Sequence, residues 1–199
     1  GSKVKGVTYR SMGDHTETVA VEFDPSVLSY EDLLAWFWTS HNPRGAQRSR
    51  QYMKALFTLG DDQAAVAAKS VKAVTQAVGA KPTTVVTPLT TFFVAEDYHQ
   101  KYYLRNRSRV VAAAGLTTDE VLLKSTLAAR LCGFVGGHGD QALVDEVAAE
   151  HGLPEDVASA LKANLPEAAS AAPTLETATA AAAAAAGSGG QGGKGCLLM

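Results

Sequence analysis

The chain has 199 residues, of which 46% are hydrophobic and 19% charged, with a formal net charge of -2. That length suits one domain with a tail, and the near-neutral charge leaves no electrostatic footprint for nucleic acid. No run of about 18 apolar residues occurs, so no transmembrane helix is expected; the two cysteines, Cys132 and Cys196, form neither a disulfide framework nor a zinc signature.

Gly1 to Gly6 reads as an irregular lead-in. A polar cluster follows, Tyr9, Arg10, Asp14, His15, Thr16 and Glu17, and then an alternating stretch. Val19, Val21 and Phe23 fall on one side of a predicted strand over 18–23, with Thr18, Ala20 and Glu22 on the other, and Asp24-Pro25 stops it. A strand entered through a glycine-containing turn that carries a histidine and a glutamate is a place for proton chemistry. Ser29, with an acid three residues on at Asp32, is close to a capping box. It opens a helix over about 30–41 with Leu34, Phe37, Trp38 and His41 on one face. That aromatic-rich helix reads as core. Asn42-Pro43 ends it.

Arg44 to Arg50 is a polar loop with three arginines. A second strand is expected over 53–59, closed by Gly60-Asp61-Asp62. A helix over 62–79 follows, with Gly79 as its C-cap. The β-branched run 83–87 gives a third strand. Residues 95–105 form a short acidic-then-basic segment. Helices are predicted over about 117–132, 140–150 and 154–164. From Pro166 the composition turns to Ala, Thr and Ser, then GSGGQGGKG, which predicts a flexible tail. Strands interleaved with helices give an α+β domain of two layers.

The segments GDHTETV, FDP, SYEDLLAWFW, SRQYM and AEDYHQKYYLR occur in that order. Together they resemble peptide methionine sulfoxide reductase of the A type, from about Tyr9 to Arg105. STLAARLCGFVGGHG, Ser125 to Gly139, is similar to an extension in one branch of that family. The resemblance implies a ferredoxin-like core. The family's nucleophile sits in a Gly-Cys-Phe-Trp motif N-terminal to all of these segments, and this chain opens at Gly1 with Cys132 as its first cysteine. The expectation is therefore a family member without its front portion, its core incomplete at the N-terminus. The domain spans 1–165, with a core over about 7–110 and a helical extension over about 111–165. The tail occupies 166–199.

The resemblance also implies the chemistry. A thiolate attacks the sulfur of methionine sulfoxide, free or in peptides, a carboxylic acid protonates the departing oxygen, and tyrosine hydroxyls hold it. The resulting sulfenic acid condenses with a second cysteine, and thioredoxin or another dithiol reduces the disulfide, with no bound cofactor and no metal. Glu17 matches the acid, and a general acid at neutral pH should be at least half buried. Tyr52 matches one oxygen-binding tyrosine and Tyr9 another. His15 either orders the acid or is an ordinary turn histidine. Asp97, His99 and Gln100 hold the loop around the site. Some family members carry an aspartate shortly before the SRQYM tyrosine; no acid lies between Asn42 and Tyr52 here, so that role does not transfer.

Cys132 is either a partly buried cysteine, a resolving thiol, or a relocated nucleophile. Cys196 has two mutually exclusive readings. The glycine-rich coil around it suits a resolving cysteine, while Cys196-Leu197-Leu198-Met199 fits a farnesylation box, which four terminal positions favour. One prenyl chain gives only weak, reversible membrane contact. A cytoplasmic protein follows, peripherally membrane-attached in its prenylated form. The rival to the reductase is a non-catalytic, lipid-tethered binding module for oxidised methionine or a partner protein.

Overall fold

The computed structural model describes residues 15–47, 49–168, 170–187 and 197–198. It divides into two compact units: the described residues of Gly1–Phe93 together with those of Ala172–Met199, and Val94–Ala171. The division falls at Phe93, whereas the sequence places the end of the core near residue 110.

In the first unit, helix α1 spans Tyr30–Thr39. Its start is the expected capping box: the Ser29 hydroxyl accepts the N–H of Asp32 at 3.1 Å, and the Asp32 carboxylate accepts the N–H of Ser29 at 3.1 Å. Such a cap contributes about 1 kcal/mol. Leu34, Phe37 and Trp38 are buried, so the aromatic run is core, while Trp36 is exposed. The Trp38 indole N–H donates to Ser70 Oγ at 3.0 Å, and that hydroxyl donates to the Ala67 carbonyl at 2.8 Å. A buried indole needs such a partner. Ser70 and Ala67 belong to α2, Gly60–Val78, which Gly79 terminates in the left-handed conformation at φ 70.

Strand β1, Ala55–Thr58, and strand β2, Val85–Pro88, flank α2 and pair in parallel with Ala55 opposite Val85 and Thr58 opposite Pro88. A parallel pair needs a crossover of this kind. The dipeptide β3, Leu197–Leu198, adds parallel to the other side of β1, giving the order β2-β1-β3. The result is a helix-rich α+β arrangement with a small parallel sheet.

Two expectations for this unit need correction. Residues 18–23 do not form a strand; a single bridge at Ala20 is all that is paired. Val21 and Phe23 still lean on the core formed by α1, α2 and Leu56, while Val19 is exposed. Alternation creates a face, but a strand also needs a neighbour to share its hydrogen bonds. The predicted disordered tail is helical over α9, Leu175–Gly187. Ala178 and Ala182, one turn apart, are 0% and 1% exposed against the α1–α2 core. Alanine has the best intrinsic helix propensity, and its small side chain lets backbones approach closely. Thr174 and Thr177 cap the start reciprocally, with N–H to hydroxyl distances of 2.8 and 3.2 Å. At the other end, the Asn42 side-chain amide donates to the Ala185 carbonyl at 3.0 Å.

The regular elements of the second unit, among the described residues, are a 3-10 turn at Asp97–His99 and the helices α3 Tyr102–Arg105, α4 Ser108–Ala113, α5 Asp119–Lys124, α6 Thr126–Val135, α7 Gln141–His151 and α8 Glu155–Lys162. The single helix expected over 117–132 is two. Ser125, in extended conformation at ψ 125, ends α5 through its N–H to the Val121 carbonyl and caps α6 by accepting the Ala128 N–H at 3.1 Å. Serine competes for backbone groups in this way and so breaks a helix where hydrophobic spacing alone predicts continuity. Leu104, Leu131, Val144, Val147 and Val157 are among the buried residues of its core. Among the described residues no helix is long and apolar enough to cross a membrane.

Candidate active site

The segment bearing the predicted acid is tied to the segment bearing the predicted tyrosine. The Glu17 N–H donates to the Gln51 carbonyl at 2.9 Å. One residue earlier, the Thr16 hydroxyl donates to the Arg50 carbonyl at 3.1 Å across 34 positions of sequence. Thr18 Oγ1 donates back to the Thr16 carbonyl at 2.9 Å and shapes the approach to Glu17. Tyr52 follows Gln51 directly and closes a 3-10 turn, Arg50–Tyr52, whose first bond runs from the Tyr52 N–H to the Ser49 carbonyl at 3.0 Å. The chain then enters β1. Tyr52 is 44% exposed.

Glu17 is exposed, against the expectation that it is at least half buried. The expected strand over 18–23 is reduced to a single bridge at Ala20 among the described residues. His15 places its ring edge-on to Phe93, with centroids 5.0 Å apart and planes at 82°. Tyr9 lies outside the described residues, as does Cys196.

The loop preceding Tyr52 is more ordered than its composition suggests. Gln47 Oε1 accepts the Lys54 N–H at 2.9 Å, and its Nε2 donates to the carbonyls of Lys54 at 3.1 Å and Thr83 at 2.6 Å. The Lys54 ammonium reaches back to the carbonyls of Gly45 at 2.6 Å and Ala46 at 3.2 Å. The Thr83 hydroxyl donates to Pro43 and Gly45 carbonyls at 3.1 and 2.8 Å. Sequence reasoning missed Gln47 and Lys54, because a glutamine among arginines carries no signal of the two strands that it bridges.

Behind this loop His41 is buried. Its Nδ1 lies 3.0 Å from the Phe37 carbonyl and its Nε2 2.8 Å from Thr84 Oγ1. A carbonyl only accepts, so Nδ1 carries the proton and Nε2 accepts from the threonine hydroxyl. Burial pushes the imidazole down to about 4; the bond to Phe37 opposes this and the nearby Lys54 charge adds to it. His41 is thus a neutral structural tie between α1 and the start of β2.

In the second unit Asp97 is exposed and His99 half-buried, its ring tilted at 43° against that of Tyr98 with centroids 4.2 Å apart. Gln100 holds the loop: its side-chain amide donates to the Ala95 carbonyl at 3.4 Å, and its own carbonyl accepts Arg105 Nε at 2.7 Å. Arg105 pairs further with Asp119 at 2.6 Å. Cys132 sits in the last turns of α6, partly buried against the core of this unit. It is far from a helix N-terminus, the place that would favour a thiolate. No group of three His, Cys, Asp or Glu that could hold a metal occurs among the described residues.

Comparison with known proteins agrees with the sequence motifs. The family model for peptide methionine sulfoxide reductase matches residues 1–131. A rice (Oryza sativa subsp. japonica) protein, peptide methionine sulfoxide reductase A5, is 40% identical over 138 residues, covering 66% of this chain and 54% of that protein. Peptide methionine sulfoxide reductase MsrA 1 of Caulobacter vibrioides is 44% identical over 101 residues, 46% of each chain. The A5 protein of Arabidopsis thaliana is 34% identical over 132 residues, 63% of this chain and 52% of its own. The chain belongs to the peptide methionine sulfoxide reductase family. It spans about half the length of the curated relatives it matches.

Proposed function

We propose that this chain forms the oxygen-handling body of a reductase for the S epimer of methionine sulfoxide, free or in peptides. The observation that supports this reading is the main-chain hydrogen bond from Glu17 to Gln51, which joins the segment of one family motif to the segment of another. In this reading the sulfoxide oxygen lies between the Glu17 carboxyl and the Tyr52 hydroxyl, with Tyr9 as a second hydroxyl. A thiolate attacks sulfur, the S–O bond breaks, Glu17 supplies the proton, and the products are the thioether and a sulfenic acid. Glu17 is exposed, and in this reading the substrate packs over its carboxyl. The ferredoxin-like core of the family is part of the same proposal. So is a dithiol reductant such as thioredoxin, resolving the sulfenic acid through a second cysteine.

Gly-Cys-Phe-Trp does not occur in the 199 residues, and Cys132 is packed in a helix of the second unit. By the family resemblance, the attacking thiol is the one in that motif rather than Cys132. Turnover of the two sulfoxide epimers with dithiothreitol tests the proposal. Negligible rates are expected for residues 1–199, and S-selective turnover once a Gly-Cys-Phe-Trp segment is joined ahead of Gly1. Robust turnover by the Cys132→Ser variant of the 199-residue chain would place the chemistry elsewhere.

A further inference from the structure

We propose that Gln47 is a positioning residue for Tyr52, fixing where its phenol meets the sulfoxide oxygen; the inference rests on the function proposed above. The Gln47 carboxamide does for Lys54 what a neighbouring strand would do. It accepts the Lys54 N–H at 2.9 Å and donates to the Lys54 carbonyl at 3.1 Å, so both main-chain groups of one residue are held by one side chain. The same amide nitrogen donates to Thr83 at 2.6 Å, which extends the hold to the chain entering β2. The Lys54 carbonyl also accepts the Val85 N–H at 3.0 Å, and its two lone pairs accommodate both donors.

Tyr52 lies two residues before Lys54, between two clamps. Upstream, Gln51 and Arg50 are held by Glu17 and Thr16. Downstream, Lys54 is held by Gln47 at its main chain, and its ammonium is held by Gly45 and Ala46. Gly45 leaves room for that ammonium: a Cβ there would come within 2.7 Å of Lys54 Nζ. A main chain pinned at both sides fixes the direction in which the tyrosine leaves it and so narrows the positions that the phenol reaches. Gln47 does not act on the substrate; it acts through the main chain on either side of Met53.

The test is a double-mutant cycle on sulfoxide binding. The probe is N-acetyl-methionine-S-sulfoxide amide, titrated into the 199-residue chain, with the sulfide analogue as control and the Tyr52 ring resonances as a second readout. Gln47→Leu is expected to weaken sulfoxide affinity about fivefold, the typical worth of one net hydrogen bond, and to leave sulfide binding unchanged. It is also expected to shift the Tyr52 ring resonances in the ligand-free chain. Tyr52→Phe with Gln47→Leu should be no weaker than Tyr52→Phe alone, since the glutamine acts only through the phenol.

Additive losses in the cycle, or unmoved Tyr52 ring resonances, would overturn the assignment. Where Gln47→Leu fails to fold, Gln47→Glu serves: it keeps the acceptor for Lys54 N–H but sets a carboxylate against two carbonyl oxygens, and the same pattern is expected. If the wild-type chain binds sulfoxide and sulfide equally, the proposed function fails. The ring resonances still decide the matter then: a shift upholds the positioning of Tyr52, and no shift overturns it.

Discussion

Glu17 and Gln51 are joined by a main-chain hydrogen bond of 2.9 Å, and Tyr52 is the next residue along. Two motifs far apart in sequence therefore share one fixed point. The bond is made by the main chain, so it uses neither the Glu17 carboxyl nor the Tyr52 hydroxyl. Glu17→Gln keeps this bond and changes only the proton to be given. Its unfolding free energy should stay within about 0.5 kcal/mol of wild type, as for surface substitutions generally. In any thiol-competent form, turnover should fall by about 100-fold or more, the usual loss of a general acid. Urea unfolding and a steady-state rate check the two halves.

His41 makes stability depend on pH. Burial lowers its folded value from 6.5 to about 4. The unfolded chain therefore takes up a proton first as pH falls. The contribution of neutral His41 is complete above about 6.5 and is lost progressively as pH drops toward about 4, on the order of 3 kcal/mol in total. Urea unfolding between pH 7 and 4 should show this slope in wild type. His41→Gln should remove that component, leaving the slope that the carboxylates set.

Helix α9 docks through Ala178 and Ala182, which are almost wholly buried. Ala182→Leu adds a branched side chain where there is no room and should cost about 1–3 kcal/mol. The expected readout is loss of amide-exchange protection over 175–187, together with a red shift of tryptophan emission as the α1–α2 surface opens. Unchanged protection would mean that the helix does not rest on this surface.

Gly139 has two reasons to be glycine. Its φ is +101, and a Cβ would lie 2.9 Å from the Phe134 ring. Gly139→Ala should destabilise the second unit by about 1–3 kcal/mol. Thermal unfolding followed by near-ultraviolet circular dichroism reads this directly.

Much of the first unit was legible in the sequence because its signals are local. Ser29 with Asp32 announced the start of α1, Gly79 the end of α2, and the β-branched run β2. What was not legible depends on distant partners. Residues 18–23 alternate correctly but form only a bridge at Ala20 among the described residues. The alanine run reads as a tail, yet Ala178 and Ala182 pack into the core that α1 and α2 form. Ser125 reads as an interior helix position, and its hydroxyl makes it a boundary. At the candidate site, the motifs single out Glu17 and Tyr52, whereas Gln47 and Lys54 emerge only once β1 and β2 are side by side.

The account stands on the placement of a sulfoxide oxygen between Glu17 and Tyr52. The most direct measurement is a nitrogen- and aromatic-resolved magnetic resonance titration of the chain with the S and R epimers of N-acetyl-methionine sulfoxide amide. The S epimer should perturb the Glu17 amide and the Tyr52 ring together, with Tyr52→Phe abolishing the effect and the R epimer producing little. Equal perturbation by both epimers, or saturation by the S epimer with both signals unmoved, would contradict it.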